Sequence, residues 1–517
     1  MSQTHQASHN GFGLLRFGVA MLFAIGVAFY ANITFDGLQN HYLLVIAAII
    51  GAYMAMNIGA NDVANNVGPA VGSKALTLTS AIIIAAIFEA SGALIAGGDV
   101  VSTIKKGIID PSLINDPETF IWLMMAALLA GAIWLNLATW LGAPVSTTHS
   151  IVGGVLGAGI AVGGMDIANW GKMGAIAASW VISPVLGGVI AALFLFLIKH
   201  TIFHQDQMVS SARRVVPVLL AAMTWAFMTY LCLKGIKHIV KLDFQTAALI
   251  GFGGALVVFF LSRQAIARTA ERIENTRTNV SDMFTLPLIF SAALLSFAHG
   301  ANDVANSIGP LAAINDAIVN VSVSSKAAIP LWIMMVGALG IAIGLALYGP
   351  KLIHTVGTEI TELDKPRAFC VAMAASITVI IASQLGLPVS STHIAVGGIF
   401  GVGFLREYLK RSYLSQIHVY AEQLTGEQKA KVDHLLLNHK KIAVEDVNAV
   451  CKTLKKERKQ INLKKKEIKA LKRGYKEELV KRSALIKIAA AWIITVPASA
   501  GLAALLFFTL RGIFISQ

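Results

Sequence analysis

Thirteen residues, NIGANDVANNVGP (Asn57–Pro69), set Asn61, Asp62, Asn65 and Asn66 at the end of an apolar run that extends from Leu43 to Met56. A second copy, AHGANDVANSIGP (Ala298–Pro310), repeats nine of the thirteen positions and supplies Asn302, Asp303 and Asn306. On a helix, Asn61 and Asn65 share one stripe, and Asp62 and Asn66 share the next. The two stripes form a polar face opposite alanines and a valine. Gly59 ahead of it and Gly68–Pro69 behind it are expected to let the helix unwind and turn carbonyls toward a small cation. Ionisable groups within membrane segments are costly, and two at matching positions point to a cation or proton site.

Another pair of stretches offers complementary chemistry. LGAPVSTTHSIVGGVLGAG (Leu141–Gly159) and LGLPVSSTHIAVGGIFGVG (Leu385–Gly403) agree at twelve of nineteen positions. Pro144 and Pro388 interrupt the helix, and hydroxyls follow at once: Ser146, Thr147 and Thr148, then Ser390, Ser391 and Thr392. Such side chains cap helix N-termini. A helix N-terminus, with free N–H groups and the positive dipole end, also attracts anions. Two opposed ends would make a cradle of neutral donors for a multivalent oxyanion; the alternative is a pair of structural caps. His149 and His393 are read either as proton carriers or as packing and hydrogen-bonding side chains. Catalysis is not expected. Ser146 and His149 are three apart with no nearby carboxylate, and neither a nucleophile elbow nor a P-loop is present.

The elements that must hold these groups are membrane helices. The chain has 517 residues, 56% hydrophobic and 14% charged. Long apolar runs fall at 14–33, 42–58, 75–97, 119–141, 174–198, 215–233, 245–262, 284–299, 327–348, 367–386 and 484–510, with shorter Gly-rich pieces at 145–163 and 389–405. Strand-like alternation is absent, so an all-α polytopic membrane protein with about 11–13 membrane segments is predicted. The first run follows a ten-residue polar stretch and is read as a retained helix rather than a cleaved signal. Cys232, Cys370 and Cys451 are scattered, and neither a disulfide framework nor a metal-ligand spacing follows from them.

Charge is concentrated in one place. Residues 406–482 carry 21 of the 42 Lys and Arg against 10 of the 28 Asp and Glu, hence +11 of the net +14. This segment is read as a cytoplasmic loop, not as a nucleic-acid surface. Loops 199–214 and 263–283 are also basic, whereas 34–41, 98–118 and 164–174 are not; only 234–244, with three lysines, runs against the pattern. The N-terminus is then expected in the cytoplasm and the C-terminus outside. The motif pairs recur in the same order, with GSKA (72–75) echoed by SSKA (324–327). The predicted organisation is an accessory helix (1–41), a first repeat (42–198), a two-helix insert (199–283), a second-repeat core (284–405), the basic loop (406–482) and a final helix (483–517). Opposite loop charges make the repeats inverted, a secondary-transporter pattern with its site between the halves.

With those residues in view, the chain resembles the inorganic phosphate transporter (PiT) family over essentially its whole length, through the doubled GANDVAN and P-V-S-[ST]-T-H motifs. The resemblance implies symport of inorganic phosphate with Na⁺ or H⁺ through an inverted-repeat fold with re-entrant hairpins, without a bound cofactor. Carried over, Asn61, Asp62, Asn302 and Asp303 bind coupling ions. Ser146, Thr147, Thr148, Ser390, Ser391 and Thr392 hold phosphate, with Asn65 and Asn306 placed on the substrate side. Glu89, in IFEASGA, matches a mid-membrane glutamate of the family and joins the ion set, although its repeat counterpart is Ile341. The implied setting is the cytoplasmic (inner) membrane, with phosphate and lipid as partners, no nucleic acid, and a homo-oligomer left open.

Other functions fit the residues less well. A sulfate permease would use the same hydroxyls, although phosphate, which can donate as well as accept, suits spare acceptors such as Asp62 or Asp303. A membrane scaffold or sensor would use the basic loop as its output. Within that loop Val447, Leu454, Ile461, Ile468 and Tyr475 recur every seven residues, but Glu457, Lys464 and Glu478 spoil the second seam. An amphipathic helix on anionic headgroups or free in solvent is expected.

Overall fold

The computed structural model describes residues 2–515 apart from 39, 115, 144, 236–239, 321–328, 359–362, 422–423, 439–441, 443 and 458–481. Among the described residues all regular structure is helical, and a single isolated antiparallel bridge links Ile109 to Ala168. Eleven helical stretches among the described residues are long and apolar enough to cross a membrane. Spanning helices satisfy their own backbone polar groups, which is why so apolar a chain takes this form.

In chain order the helices are α1 (Ser2–Thr34), α2 (His41–Asn61), α3 (Ala64–Gly72), α4 (Leu78–Ala96), α5 (Gly98–Lys106), α6 (Pro117–Leu141), α7 (Thr147–Gly163) and α8 (Trp170–Ile198). The insert contributes α9 (Met208–Tyr230), α10 (Phe244–Ala270) and the short α11 (Arg277–Asp282). There follow α12 (Thr285–Asp303), α13 (Ala305–Val319), α14 (Leu331–Tyr348), α15 (Pro350–Thr358), α16 (Lys365–Gln384) and α17 (Ser391–Ala421). Last come α18 (Gly426–Leu437), α19 (Val444–Glu457) and α20 (Arg482–Ile515).

The two halves interlock through glycines that let backbones touch. A Cβ on Gly59 of α2 would sit 1.9 Å from the carbonyl oxygen of Ile341 on α14, and one on Gly344 would sit 1.9 Å from that of Met56. The matching contact joins α12 to α4: a Cβ on Gly300 would sit 2.1 Å from the Glu89 carbonyl oxygen, and one on Gly92 would sit 2.0 Å from that of Phe297. Small residues at such crossings are the usual means of close helix packing in lipid. Gly59 therefore serves contact, and the expected unwinding lies elsewhere. The chain breaks at Asp62–Val63 and at Val304, within the polar motifs themselves, while Pro69 and Pro310 lie inside α3 and α13.

Successive contacts also fix relative directions. Gly153 and Gly157 of α7 meet Val496 and Ala500 of α20 in that order, so these two helices run the same way. Gly397 and Gly401 of α17 meet Pro184 and Gly188 of α8 in the same sense. By contrast, Gly154 of α7 meets Ala127 while Gly131 of α6 lies near Ser150, the order expected of antiparallel neighbours.

The basic segment departs from expectation. Its first part is no loop, because α17 continues unbroken to Ala421, past the 405/406 boundary. Val447 and Leu454 of α19 lie in a small core with Leu414, Ile417, Val432, Leu436 and Cys451. Burial against α17 and α18 replaces the headgroup or solvent contact predicted for that stripe. Ile461, Ile468 and Tyr475 lie outside the described residues. Glu407 of α17 pairs with Arg482 at the start of α20 at 3.1 Å and with Arg411 at 3.3 Å, and Lys452 donates to the carbonyl of His204 beyond α8.

Candidate functional site

Both hydroxyl motifs begin helices as predicted. Ser146 Oγ accepts the His149 N–H at 3.1 Å at the start of α7, and Ser390 Oγ accepts the His393 N–H at 3.2 Å at the start of α17. These two serines are thus engaged as caps, while the hydroxyls that follow them turn toward the GANDVAN breaks. Pro144 lies outside the described residues; the carbonyl of Pro388 accepts from Trp180 Nε1 at 3.2 Å.

The two motif pairs meet across the halves. Thr147 donates to Asp62 Oδ2 at 2.5 Å, and Thr392, from the other repeat, donates to Oδ1 of the same carboxylate at 3.1 Å. Asn65 Nδ2 reaches Thr392 Oγ1 at 2.9 Å, and Asn306 Nδ2 reaches Thr147 and Thr148 at 3.1 and 3.2 Å. Ser391 lies 3.3 Å from Asp303 Oδ2, and Thr148 donates to the Val389 carbonyl at 2.9 Å. All of these side chains are buried. The division into an ion motif and a substrate motif does not survive as two places, because hydroxyls, amides and carboxylates form one connected group.

Asn61 and Asn302 have another task. Asn61 Nδ2 donates to Thr139 Oγ1 at 2.9 Å and to the Ala143 carbonyl at 3.2 Å, while its Oδ1 accepts the Val145 N–H at 3.2 Å. Asn302 Nδ2 donates to Ser383 Oγ at 2.8 Å and to the Leu387 carbonyl at 3.3 Å. Each asparagine ties the bend ahead of α7 or α17 to the break in α2 or α12.

Glu89 is engaged by two partners. Its Oε1 accepts from Asn66 Nδ2 at 2.7 Å and its Oε2 lies 2.6 Å from His299 Nδ1. The other ring nitrogen of His299 lies 3.1 Å from Asp303 Oδ2, within ion-pair range but without hydrogen-bond alignment, so the distance is taken as proximity rather than as a bond. A neutral imidazole donates from one nitrogen only, and Glu89 has the well-made contact. Asp62, His299 and Asp303 can each place one ligand atom within 4.8 Å of the others; the two aspartates belong to the expected ion set and the histidine does not.

His299 escaped the sequence reading, yet a signal was present. Its counterpart in the first motif is Ile58, and that of Glu89 is Ile341. At both places a titratable side chain in one repeat stands against isoleucine in the other, and the two titratable side chains pair in space. Trp180 and Trp492 were missed as well. His149 and His393 lie with ring centroids 4.4 Å apart, flanked by Trp180 at 3.8 Å and Trp492 at 3.5 Å. The geometry puts these histidines in an aromatic stack, in keeping with the packing alternative.

Acceptors exceed donors at this centre. Among the described residues, Oδ1 of Asn65, Asn66, Asn302, Asn306 and Asp303 is buried without a hydrogen-bond donor. Pro69 and Pro310 add to the excess by removing the N–H groups that would bond the backbone carbonyls of Asn65 and Asn306. Buried acceptors are normally satisfied. Oxygen atoms in such surplus are what a hard cation requires, and the adjoining hydroxyls can supply donors to an oxyanion.

Comparison with known proteins agrees in kind. The family described as "Phosphate transporter family" matches residues 58–503. A "Putative phosphate permease" of Helicobacter pylori (strain J99) is 52% identical over 506 residues, covering 96% of this chain and 95% of that protein. One from Pyrococcus abyssi is 40% identical over 367 residues, covering 70% of this chain and 89% of its own. A solved structure, "The sodium-dependent phosphate transporter", aligns with a TM-score of 0.75 at 31% identity, covering 92% of this chain and all of that one.

Proposed function

The chain belongs to the phosphate transporter family, and on that premise we propose that it carries inorganic phosphate across the cytoplasmic membrane together with Na⁺. The observation that carries this reading is the surplus of buried acceptors beside the hydroxyls of Thr147, Thr148, Ser391 and Thr392. Amide oxygens of Asn65 and Asn306 cannot take up a proton at ordinary pH but do ligate Na⁺, so their surplus favours a metal cation over H⁺ as the coupled species. Asp62 and Asp303 supply the negative charge. The hydroxyls of Thr147, Ser391 and Thr392, released from the carboxylates when a cation takes their place, become donors for phosphate oxygens. Cation binding then precedes and prepares phosphate binding, which is what coupling requires.

Alternating access follows from inverted repeats rocking around a shared centre. The parallel pairing of α7 with α20 and of α17 with α8 supports inversion. If α8 returns antiparallel to α7 after the turn at 164–169, then α17, parallel to α8, opposes α7. The basic segment is assigned to the cytoplasm with the N-terminus, and the C-terminus to the far side.

The experiment is uptake of radiolabelled phosphate into proteoliposomes with Na⁺ and pH gradients imposed separately. An inward Na⁺ gradient at equal pH should drive accumulation. Accumulation driven by a pH gradient in the absence of Na⁺ would replace Na⁺ by H⁺, and the absence of flux under either gradient would leave the scaffold reading.

A further inference from the structure

At one end of the α9–α10 hairpin, away from the centre just described, lies a cavity of about 340 Å³ lined by Ser210, Arg213, Arg214, Pro217, Phe259 and Arg263. Three arginines and a serine line it, and no acid does. None of the three arginines has an ion-pair or hydrogen-bond partner among the described residues, which is unusual for so many like charges around one space. The hairpin is fixed on either side of the cavity. Asn275 accepts the Val209 N–H at 3.0 Å and donates to the Asp206 carbonyl at 2.8 Å, tying the open end where α9 starts and α10 finishes. Toward the other end, Gly251 and Gly254 pack against Trp225 and Met228.

We propose that this cavity is a binding site for the phosphate-bearing headgroup of an anionic phospholipid. Arginine forks match phosphate oxygens in pairs, and basic pockets between membrane helices are places where anionic headgroups bind. Depth decides between lipid and a free anion. Arg213 and Arg214 lie in the second turn of α9 and Arg263 two turns before the end of α10, roughly 8–11 Å inside the helix ends at 1.5 Å per residue. That is headgroup depth in a span, not bulk water. Further along the same faces Val218, four residues after Arg214, and Phe260, three before Arg263, are more than half exposed, an apolar surface suited to acyl chains. An amphiphile satisfies both surfaces at once, whereas inorganic phosphate would satisfy only the arginines.

The test uses the full-length protein in a neutral detergent, with the thermal unfolding midpoint read against added ligand. Dioctanoyl phosphatidylglycerol should raise the midpoint saturably, and dioctanoyl phosphatidylcholine should not. With Arg213, Arg214 and Arg263 all changed to Gln, the concentration needed should rise roughly a hundredfold. All three changed to Lys should keep most of the response, because charge is retained. Inorganic phosphate should stabilise the wild type and the Gln variant alike, since it acts at the central site. An equal response of wild type and Gln variant to phosphatidylglycerol, or an equal response to phosphatidylcholine, would overturn the proposal. So would a phosphate response lost in the Gln variant with the lipid response intact, which would make the ligand free phosphate. Should the triple Gln variant not fold, Arg263→Gln alone is measured, with the same direction expected.

Discussion

The two copies of the polar motif are built alike around Asp62 and Asp303 and are supplied differently. Around Asp62 the donors are hydroxyls, Thr147 from its own half and Thr392 from the other. Asp303 has a hydroxyl, Ser391, at the longer distance of 3.3 Å and, 3.1 Å away, an imidazole that Glu89 holds from behind. At the equivalent places in the first motif's surroundings stand Ile58 and Ile341, both buried. The glycine crossings, the serine caps and the asparagine ties are repeated, but the acid and base are present together on one side and absent together on the other. A buried carboxylate or imidazolium alone is strongly unfavourable, whereas a pair, or two aliphatic side chains, can each be accommodated. One half therefore carries a proton-bearing base beside its aspartate and the other carries none. The pseudo-symmetric carboxylates are not interchangeable.

The largest effect should come from the carboxylates themselves. Asp62→Asn and Asp303→Asn keep the shape and remove the charge, so each should abolish Na⁺-driven phosphate accumulation in proteoliposomes while the protein remains monodisperse in detergent. Normal accumulation by Asp62→Asn would remove the ion-site assignment. If Asp303→Asn alone transported normally, the half with the imidazole would have been shown to serve structure and not the ion.

Next in size is a mutational cycle on the pair that sets the halves apart. Glu89→Ile and His299→Ile each leave the partner buried without its counter-group, and each should cost about 3–5 kcal/mol of stability. The double variant, which gives the second site the aliphatic pair of the first, should recover most of that loss. Asn66 then loses its acceptor, so recovery falls short by about 1 kcal/mol. Unfolding midpoints of the four proteins give the coupling. Losses that simply add would mean that Glu89 and His299 act independently and that their joint absence from the other half is coincidence.

Much of this architecture was legible in the sequence. Membrane segments, the duplication and the meeting of two motif pairs follow from hydropathy and repetition, because lipid leaves helices as the only way to satisfy so much backbone. The serine caps were legible too, since Ser146 and Ser390 follow interruptions at Pro144 and Pro388. What a one-dimensional pattern could not show was which side chain a partner helix presents. The family resemblance gives Asn61 to the ion, yet it bonds the bend ahead of α7. Glycine at position 59 permits unwinding, yet what requires it is the contact with Ile341. Val447 and Leu454 presented a half-seam, and the helices that cover it are not adjacent in sequence.

A smaller effect should separate the two threonines. Thr148→Val and Thr392→Val keep volume and delete a donor, at about 1–3 kcal/mol, or a rise in apparent phosphate KM of roughly 5- to 150-fold. Thr392 serves both Asn65 and Asp62, whereas Thr148 serves Asn306 and a backbone carbonyl. Thr392→Val should therefore sit at the upper end and should also raise the Na⁺ requirement, while Thr148→Val raises KM alone. Steady-state uptake at several Na⁺ concentrations distinguishes them. The reverse pattern would mean that Asp62 and its hydroxyls are not the link between cation and anion.

The smallest effect is expected where the halves agree. Ser146 and Ser390 make the same cap at nearly the same distance, 3.1 and 3.2 Å. Loss of such a cap costs roughly 0.5–2 kcal/mol of stability. Ser146→Ala and Ser390→Ala should therefore lower the unfolding midpoint by similar amounts and leave phosphate KM close to that of the wild type. The family resemblance counts both hydroxyls among the phosphate ligands. Their engagement with His149 and His393 N–H groups moves them to the frame that aims Thr147, Thr148, Ser391 and Thr392. A tenfold or greater rise in KM for either variant would return that serine to the substrate. A rise for one and not the other would extend the inequality of the halves from the carboxylates to the helix starts. Equal small losses of stability with unchanged KM would confine it to the Glu89–His299 pair and the aspartate that His299 approaches.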